Sequence, residues 1–562
     1  LAEQSSVQSN HELYNFQKGK HLNQPKHAVF LPAISTFYNT TVGKQRTVSD
    51  YVDPKRIPSA LPNGVEGINF LDPTQSVFYY PWGLHSAGHA DLDLNKFVPK
   101  ENMIRERPRN GDSFMLGDSG GFQIGKGVWE GDWKDPSCPK AHKKRSQVLT
   151  WMDSLMDYGM LLDIPAWVAR DPKGQKATGI STYAEAVAAT DINNEYFMRN
   201  RNGNCKFLNV LQGETHTEAE DWYQKMKKYC DPKQYENHFN GWAMGGQNMC
   251  DIHLILKRLV ALRFDGLLEK GVHDWMHFLG TSKLEWAVLL TDLQNAVRKY
   301  HNPNFTISFD CASPFLANAN GLIYTYIRIA DREKWIYKME PSIDDRKFSS
   351  DTRSLRDGLI QEKFLTDFED SPISKLLQVK DICTYGPGDA NKMGKVSKTS
   401  WDSFSYALQM AHNVYLHVLA VQRANESYNN GMMPSMLVDE RFDRIVFRDI
   451  VDNIFATSDR GKAEAEIEKW DKLYLRVIGQ RGAVGKKTLN SKTGFNTIAE
   501  VIQPTNTIEI VEEIKEKEIL TSIKSFNTIF ELEQSRNNTV IIEDEYELDQ
   551  TKQDKLDEET ND

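Results

Sequence analysis

Residues suited to chemistry sit just past several strand-like apolar runs of this chain. Asp118 follows Ser113–Leu116, Asp163 follows Met160–Leu162, and Gln212 follows Phe207–Leu211. Gly245-Gly246-Gln247 follow Trp242–Met244, Gly280 closes Met276–Leu279, and Asp310 follows Thr306–Phe309. A carboxylate can act as a nucleophile or as an acid/base, and a pair divides those roles when its surroundings separate the two pKa values. An amide brings both a donor and an acceptor, and glycine leaves room for a flat ligand. Any one of these positions reads more readily as a helix cap or a turn. Three carboxylates and an amide at successive strand ends are harder to explain as caps.

The elements that would position them follow from pattern. With Ala28–Leu31 and Ser76–Tyr80 ahead of the runs above, there are eight strand candidates. Amphipathic helical stretches lie between many of them, at Thr217–Tyr229, Ile252–Arg263 and Lys283–Tyr300. Strands alternating with helices indicate parallel βαβ units. The expected fold class is therefore α/β, a (β/α)8 TIM barrel, although a doubly wound open sheet gives the same local pattern. In a barrel the strand ends converge on one face, where active sites of this fold lie.

Residues 1–26 read as an N-terminal extension and 27–430 as the barrel domain, with an elaborated insertion over 320–400 and a long helix from Asp402 to Arg423. A boundary is expected near 430, followed by a C-terminal extension over 431–535 and an acidic tail over 536–562 of disordered composition. The formal net charge is −10; the tail holds ten acids and three bases, so 3 − 10 = −7 lies there and −3 elsewhere. A near-neutral body can hold a local basic groove, so net charge does not exclude a nucleic-acid partner. The six cysteines show no CxxC spacing, which indicates reduced thiols and a cytoplasmic location. No apolar run is long enough to span a membrane, and no signal pattern opens the chain.

In order, several motifs resemble those of the tRNA-guanine (queuine) transglycosylase superfamily. Asp118-Ser119-Gly120-Gly121-Phe122-Gln123 is similar to its DSGG(F/Y)Q signature, and Leu211-Gln212-Gly213 to its QG turn. Gly245-Gly246 resembles its GGLAVGE loop, Leu279-Gly280-Thr281 its (L/M)MGVGTP strand end, and Phe309-Asp310-Cys311 its FDC nucleophile motif. Val29–Ala33 and Met410–Asn413 resemble its first strand and last helix, so the likeness covers roughly residues 27–423.

The resemblance implies a pentosyltransferase that exchanges a base at C1′ through a covalent Asp-glycosyl intermediate. Asp310 would be the nucleophile and Asp118 the general acid/base, with two inversions giving net retention. Asp163 would accept from the N1–H and amine edge of guanine, while Gln212 and the Gly246 N–H donate to O6. Ser119 and Gly245 would line the base site, Phe122 and Leu279 would sandwich the ring, and Gly280 would make room for it. Asp251 falls where the GGLAVGE glutamate would be, and Gln247 replaces a leucine of that loop.

Two departures bear on zinc and on the polymer. The family's zinc motif CxCxxC reads here Cys383-Thr384-Tyr385-Gly386-Pro387-Gly388, leaving only Cys383 and His412 of four ligands. No zinc and no other cofactor is expected, and His412 reads as a hydrogen-bonded core residue. The arginine that usually follows the nucleophile is Phe315. These features are more like the DpdA-type branch of phages and bacterial modification islands, which inserts 7-deazaguanines into DNA.

The expected partners are therefore DNA, a preQ0-like 7-deazaguanine entering and guanine leaving. No membrane is expected; a homodimer or accessory modification proteins are compatible with this, as is the host cytoplasm for a phage protein. Phosphate contacts are expected from Lys143, Lys144 and Arg145, and from Lys486 and Lys487 within the basic stretch Arg476–Lys492. A flipped or single-stranded nucleotide is required, since a duplex hides C1′ and N9. Three alternatives stay open: a tRNA-guanine (queuine/preQ1) ribosyltransferase, a noncatalytic paralogue subunit, and a hydrolytic glycosidase on the same barrel.

Overall fold

Eight parallel strands, each buried along nearly its whole length, form the frame of the protein: β1 (Val29–Pro32), β2 (Trp82–Ser86), β3 (Phe114–Asp118), β4 (Tyr158–Met160), β5 (Lys206–Leu211), β6 (Gly241–Met244), β7 (Trp275–Phe278) and β8 (Thr306–Cys311). This computed structural model describes residues 25–42, 54–95, 102–109, 111–249, 251–384, 400–439, 444–470, 473, 474 and 477. The strand order β1-β8-β7-β6-β5-β4-β3-β2 runs round a single sheet. The last gap is bridged by a parallel contact between Ala33 and Leu84, with Ile34 N–H donating to Leu84 O at 2.9 Å. This is the expected (β/α)8 barrel, and the open-sheet alternative falls away.

Seven of the eight predicted strands lie within a residue or two of their observed places. The exception is the second. Ser76–Tyr80 is not a strand; it runs irregularly, with Tyr80 N–H bonded to Phe70 O, and Pro81 ends it. The real β2 reads Trp-Gly-Leu-His-Ser, a run whose glycine, histidine and serine disguise a strand buried on both faces.

Alternation fills the barrel in layers. Phe114 of β3 stacks on Trp275 of β7 at 4.5 Å between ring centroids, although those strands are not neighbours. Such a contact is possible only across the barrel interior. Trp82 and Tyr158 join them within 6.0 Å, making an aromatic floor. Two and four residues further along the same faces stand Ser86, Asp118, His277 and Leu279.

The helices pack outside: α1 (Pro139–Leu155), α2 (Tyr183–Asn200), α3 (His216–Met226), α4 (Ile252–Phe264) and α5 (Leu284–Tyr300). After β8 come a hairpin, β9 (Leu322–Arg328) and β10 (Ile336–Pro341), and then α6 (Ser403–Asn429), which outruns its expected end at Arg423 by almost two turns. The boundary expected near 430 does not mark the end of the packed chain. Helices α7 (Val446–Ala456) and α8 (Arg460–Glu468) return to α5 and α4. Arg448 Nε donates to the buried Asp292 of α5 at 2.9 Å, Tyr428 OH donates to its other oxygen at 2.6 Å, and Arg263 reaches Phe455 O at 2.8 Å. Residues 1–24 and the acidic tail lie outside the described residues. No helix among the described residues is long and apolar enough to cross a membrane.

The Arg448–Asp292 pair generates a stability contrast. Arg448→Ala strips a partner from a buried carboxylate and is expected to cost roughly 1–3 kcal/mol in urea melts. Lys299→Ala, which breaks an exposed pair with Asp452 and a surface contact over the Tyr300 ring, should leave the midpoint nearly unchanged.

Candidate active site at the mouth of the barrel

The carboxyl-terminal ends of β3 and β8, with the turns after β4 and β5, place Asp118, Asp310, Asp163 and Gln212 at one mouth. All but Asp118 are buried as whole residues, and Asp118 is partly so. Each carboxylate has its own donor. Ser86, the register partner of Asp118 on β2, bonds its Oδ2 at 2.5 Å. Gln212 Nε2 donates to Asp163 Oδ2 at 2.8 Å. Asp310 Oδ1 accepts from the Gly280 N–H at 3.0 Å and lies 3.1 Å from His277 Nε2.

Burial shifts two of the acids in the same direction. Burial raises the Asp118 carboxyl above the usual range, the Ser86 bond opposes this, and the charge of Asp310 adds to it. Burial likewise pushes Asp163 up to about 7, against the Gln212 hydrogen bond and with help from the charge of Asp118. The same interactions tie the three groups into one cluster. Asp163 can thus hold or release a proton near neutral pH, and Asp118 keeps its proton to higher pH than an exposed aspartate.

The turn after β3 explains how two of these groups come close. Gly120 has φ +79°, and a Cβ on Gly121 would stand 2.7 Å from the Asp163 carbonyl oxygen and 3.0 Å from Oδ1. Ser119 is buried beside them. Gly245 and Gly246 lie against the Gln212 amide. Phe122 is half-buried at the rim, 5.8 Å from the ring of Trp167 and under Lys126 Nζ at 5.4 Å. Leu279 is half-buried at the end of β7.

Other expected contacts are placed elsewhere. Arg145 is not a phosphate contact: it is buried, its Nε bonds Asn193 Oδ1 at 2.6 Å, and it faces the rings of Trp133 and Tyr196. Helix α1 turns this side chain inward while leaving Lys143 exposed; Lys144 lies over Trp129 at 4.7 Å. Asp251 caps α4 through the Leu254 N–H and pairs with His216 at 2.6 Å. Phe315 is buried against Tyr38. Cys383 bonds the Ile343 carbonyl, and both His412 nitrogens are taken, by Ser371 Oγ and Tyr324 O at 2.8 Å each. Lys486, Lys487, Tyr385, Gly388 and the Gln247 side chain lie outside the described residues.

Sequence reasoning missed Ser86, His277, Ser308 and Trp167. A period-2 signal was present for two of them. Ser308 and His277 each stand two residues before an expected site residue, and Ser86 ends a strand beside Asp118. No known protein family's profile matches the chain, and no curated protein matches it.

The cluster can be read by titration. Carboxyl 13C NMR should show Asp163 titrating near pH 7. Asp118→Asn should lower that midpoint by removing a neighbouring charge, and Gln212→Leu should raise it by removing a donor. Because the folded pKa lies above the unfolded one, ionising Asp163 costs stability as pH rises from about 4 to about 7. Asp163→Asn should therefore raise the melting temperature more at pH 8 than at pH 4.

Proposed function

We propose that this protein is a pentosyltransferase that replaces guanine in DNA by a 7-deazaguanine base. The observation that carries the reading is the clustering of three carboxyl groups, each with a different hydrogen-bond partner. Asp118 has a raised pKa and Asp310 is held by donors at one oxygen, while Asp163 is paired with an amide across what would be the purine edge. The ordered motifs around them, from Asp118–Gln123 to Phe309–Cys311, support the same chemistry by resemblance.

In the forward half-reaction an Asp310 oxygen bonds to C1′ as the C1′–N9 bond breaks, and the electron pair leaves with N9. The Asp118 carboxyl protonates the departing guanine. In the second half-reaction Asp118 takes the N9 proton of the incoming 7-deazaguanine. Its nitrogen attacks C1′, and Asp310 leaves as a carboxylate. Two inversions retain the anomeric configuration, and no water is consumed. Ionised Asp163 accepts from the N1–H and amine of either base, and the second N–H of Gln212 is left for O6. Phe122 offers a stacking face at the rim, with Trp167 behind it and the cation of Lys126 above.

DNA is favoured as the polymer because Phe315 and Leu316 end the stretch in which tRNA enzymes of the resembled family carry an arginine. Both are buried apolar residues, so that stretch offers no basic group. The exposed Lys143 can meet phosphate.

Radiolabelled guanine incubated with the protein and duplex DNA, single-stranded DNA or tRNA tests the reading. Label is expected in DNA, lost in Asp310→Ala and reduced at least about 100-fold in Asp118→Asn; unlabelled preQ0 should chase it out. Label in tRNA alone overturns the choice of polymer. Release of base without incorporation overturns exchange in favour of hydrolysis.

A further inference from the structure

Behind Asp310 lies a buried chain of donors and acceptors that the exchange chemistry by itself does not call for. His277 of β7 stands directly opposite Ser308 of β8 in the parallel register. Its Nδ1 is 2.9 Å from Ser308 Oγ and its Nε2 is 3.1 Å from Asp310 Oδ1. Trp275, two residues earlier on the same face, donates its indole N–H to Ser308 Oγ at 2.8 Å. All four residues are buried.

The proton positions follow from which groups can only donate. An indole N–H never accepts, so Ser308 Oγ is the acceptor there. At the other end the Asp310 carboxylate can only accept, so His277 Nε2 carries a hydrogen, and in the neutral ring Nδ1 then accepts the Ser308 hydroxyl proton. An imidazole that accepts at Nδ1 carries its hydrogen on Nε2 and donates it to Asp310 Oδ1. The Gly280 N–H supplies a second bond to the same oxygen. Oδ1 is thereby saturated, while Oδ2 has no donor among the described residues.

Resting on the base-exchange reading, we propose that His277 is a positioning residue: wired through Trp275 and Ser308, it pins Asp310 by Oδ1 and leaves Oδ2 as the oxygen that bonds C1′. The Oδ2–C1′ bond forms as C1′–N9 breaks, the electron pair goes to N9, and the proton that N9 gains comes from Asp118. His277 keeps its own proton throughout. Pinning one oxygen also spares the carboxylate a rotational search at the moment of attack.

His277→Phe keeps a planar ring and removes the donor, whereas His277→Gln restores an N–H near the former Nε2. With full-length protein, DNA and labelled base, His277→Phe is expected to lower kcat about 100-fold with KM within about twofold, and His277→Gln to recover most of the loss. A His277→Phe rate within about threefold of the parent, or a His277→Gln rate no better than that of His277→Phe, overturns the proposal. The wiring has a readout that needs no activity. In 15N-histidine NMR of the unliganded protein, one neutral Nε2–H tautomer should vanish in His277→Gln, shift in Asp310→Asn and lose its tautomer preference in Ser308→Ala. An Nδ1–H tautomer, or no response to Asp310→Asn, overturns the proposal even if exchange is active. A parent protein that shows the expected tautomer and exchanges no base overturns the base-exchange reading and the attack by Oδ2 with it, while the hydrogen-bond wiring stands.

Discussion

Three carboxylates at one water-poor mouth lose hydration and repel one another, and the rest of the structure answers that cost. Among the described residues no lysine or arginine hydrogen-bonds these acids. Each is met by a neutral donor from an adjacent strand or turn: Ser86 for Asp118, Gln212 for Asp163, Gly280 and His277 for Asp310. Neutral donors relieve the burial only in part, so two of the acids keep raised pKa values. A nearby arginine would stabilise the fold more and hold the same groups fully ionised.

That arrangement depends on closure and register. Ser86 meets Asp118, and His277 meets Ser308, because they are partners across parallel strand pairs. A slip of one residue would turn each side chain to the opposite face. The aromatic floor of Trp82, Phe114, Tyr158 and Trp275 resists such slips, since its rings interlock across the barrel. Trp275 serves both roles, packing in the floor and donating to Ser308.

The strand-end residues were legible in the sequence because a barrel gathers them whatever the details between. Helix ends such as those of Ile252–Phe264 were legible through amphipathic period. What escaped was of three kinds. Strand β2 carries too little β-branched character to be seen, and the aromatic run before it drew attention instead. Arg145 looked like part of a basic patch, but a helix distributes successive residues round its axis, and every fourth or so faces the core. His277 and Ser308 were hidden differently: an inward polar residue inside a strand looks like any interior position until its neighbour across the ladder is known.

The clasp between Asp292 and Arg448 spans 156 residues of chain. A ribosome adding about 5–20 residues each second completes the barrel strands on the order of 10 s before Arg448 emerges. Through that interval Asp292 of α5 lacks its cation, and Tyr428 of α6 is the first of its two partners to be made. The newborn barrel thus has its strands in place before the cation that completes the outer face of α5 has been made.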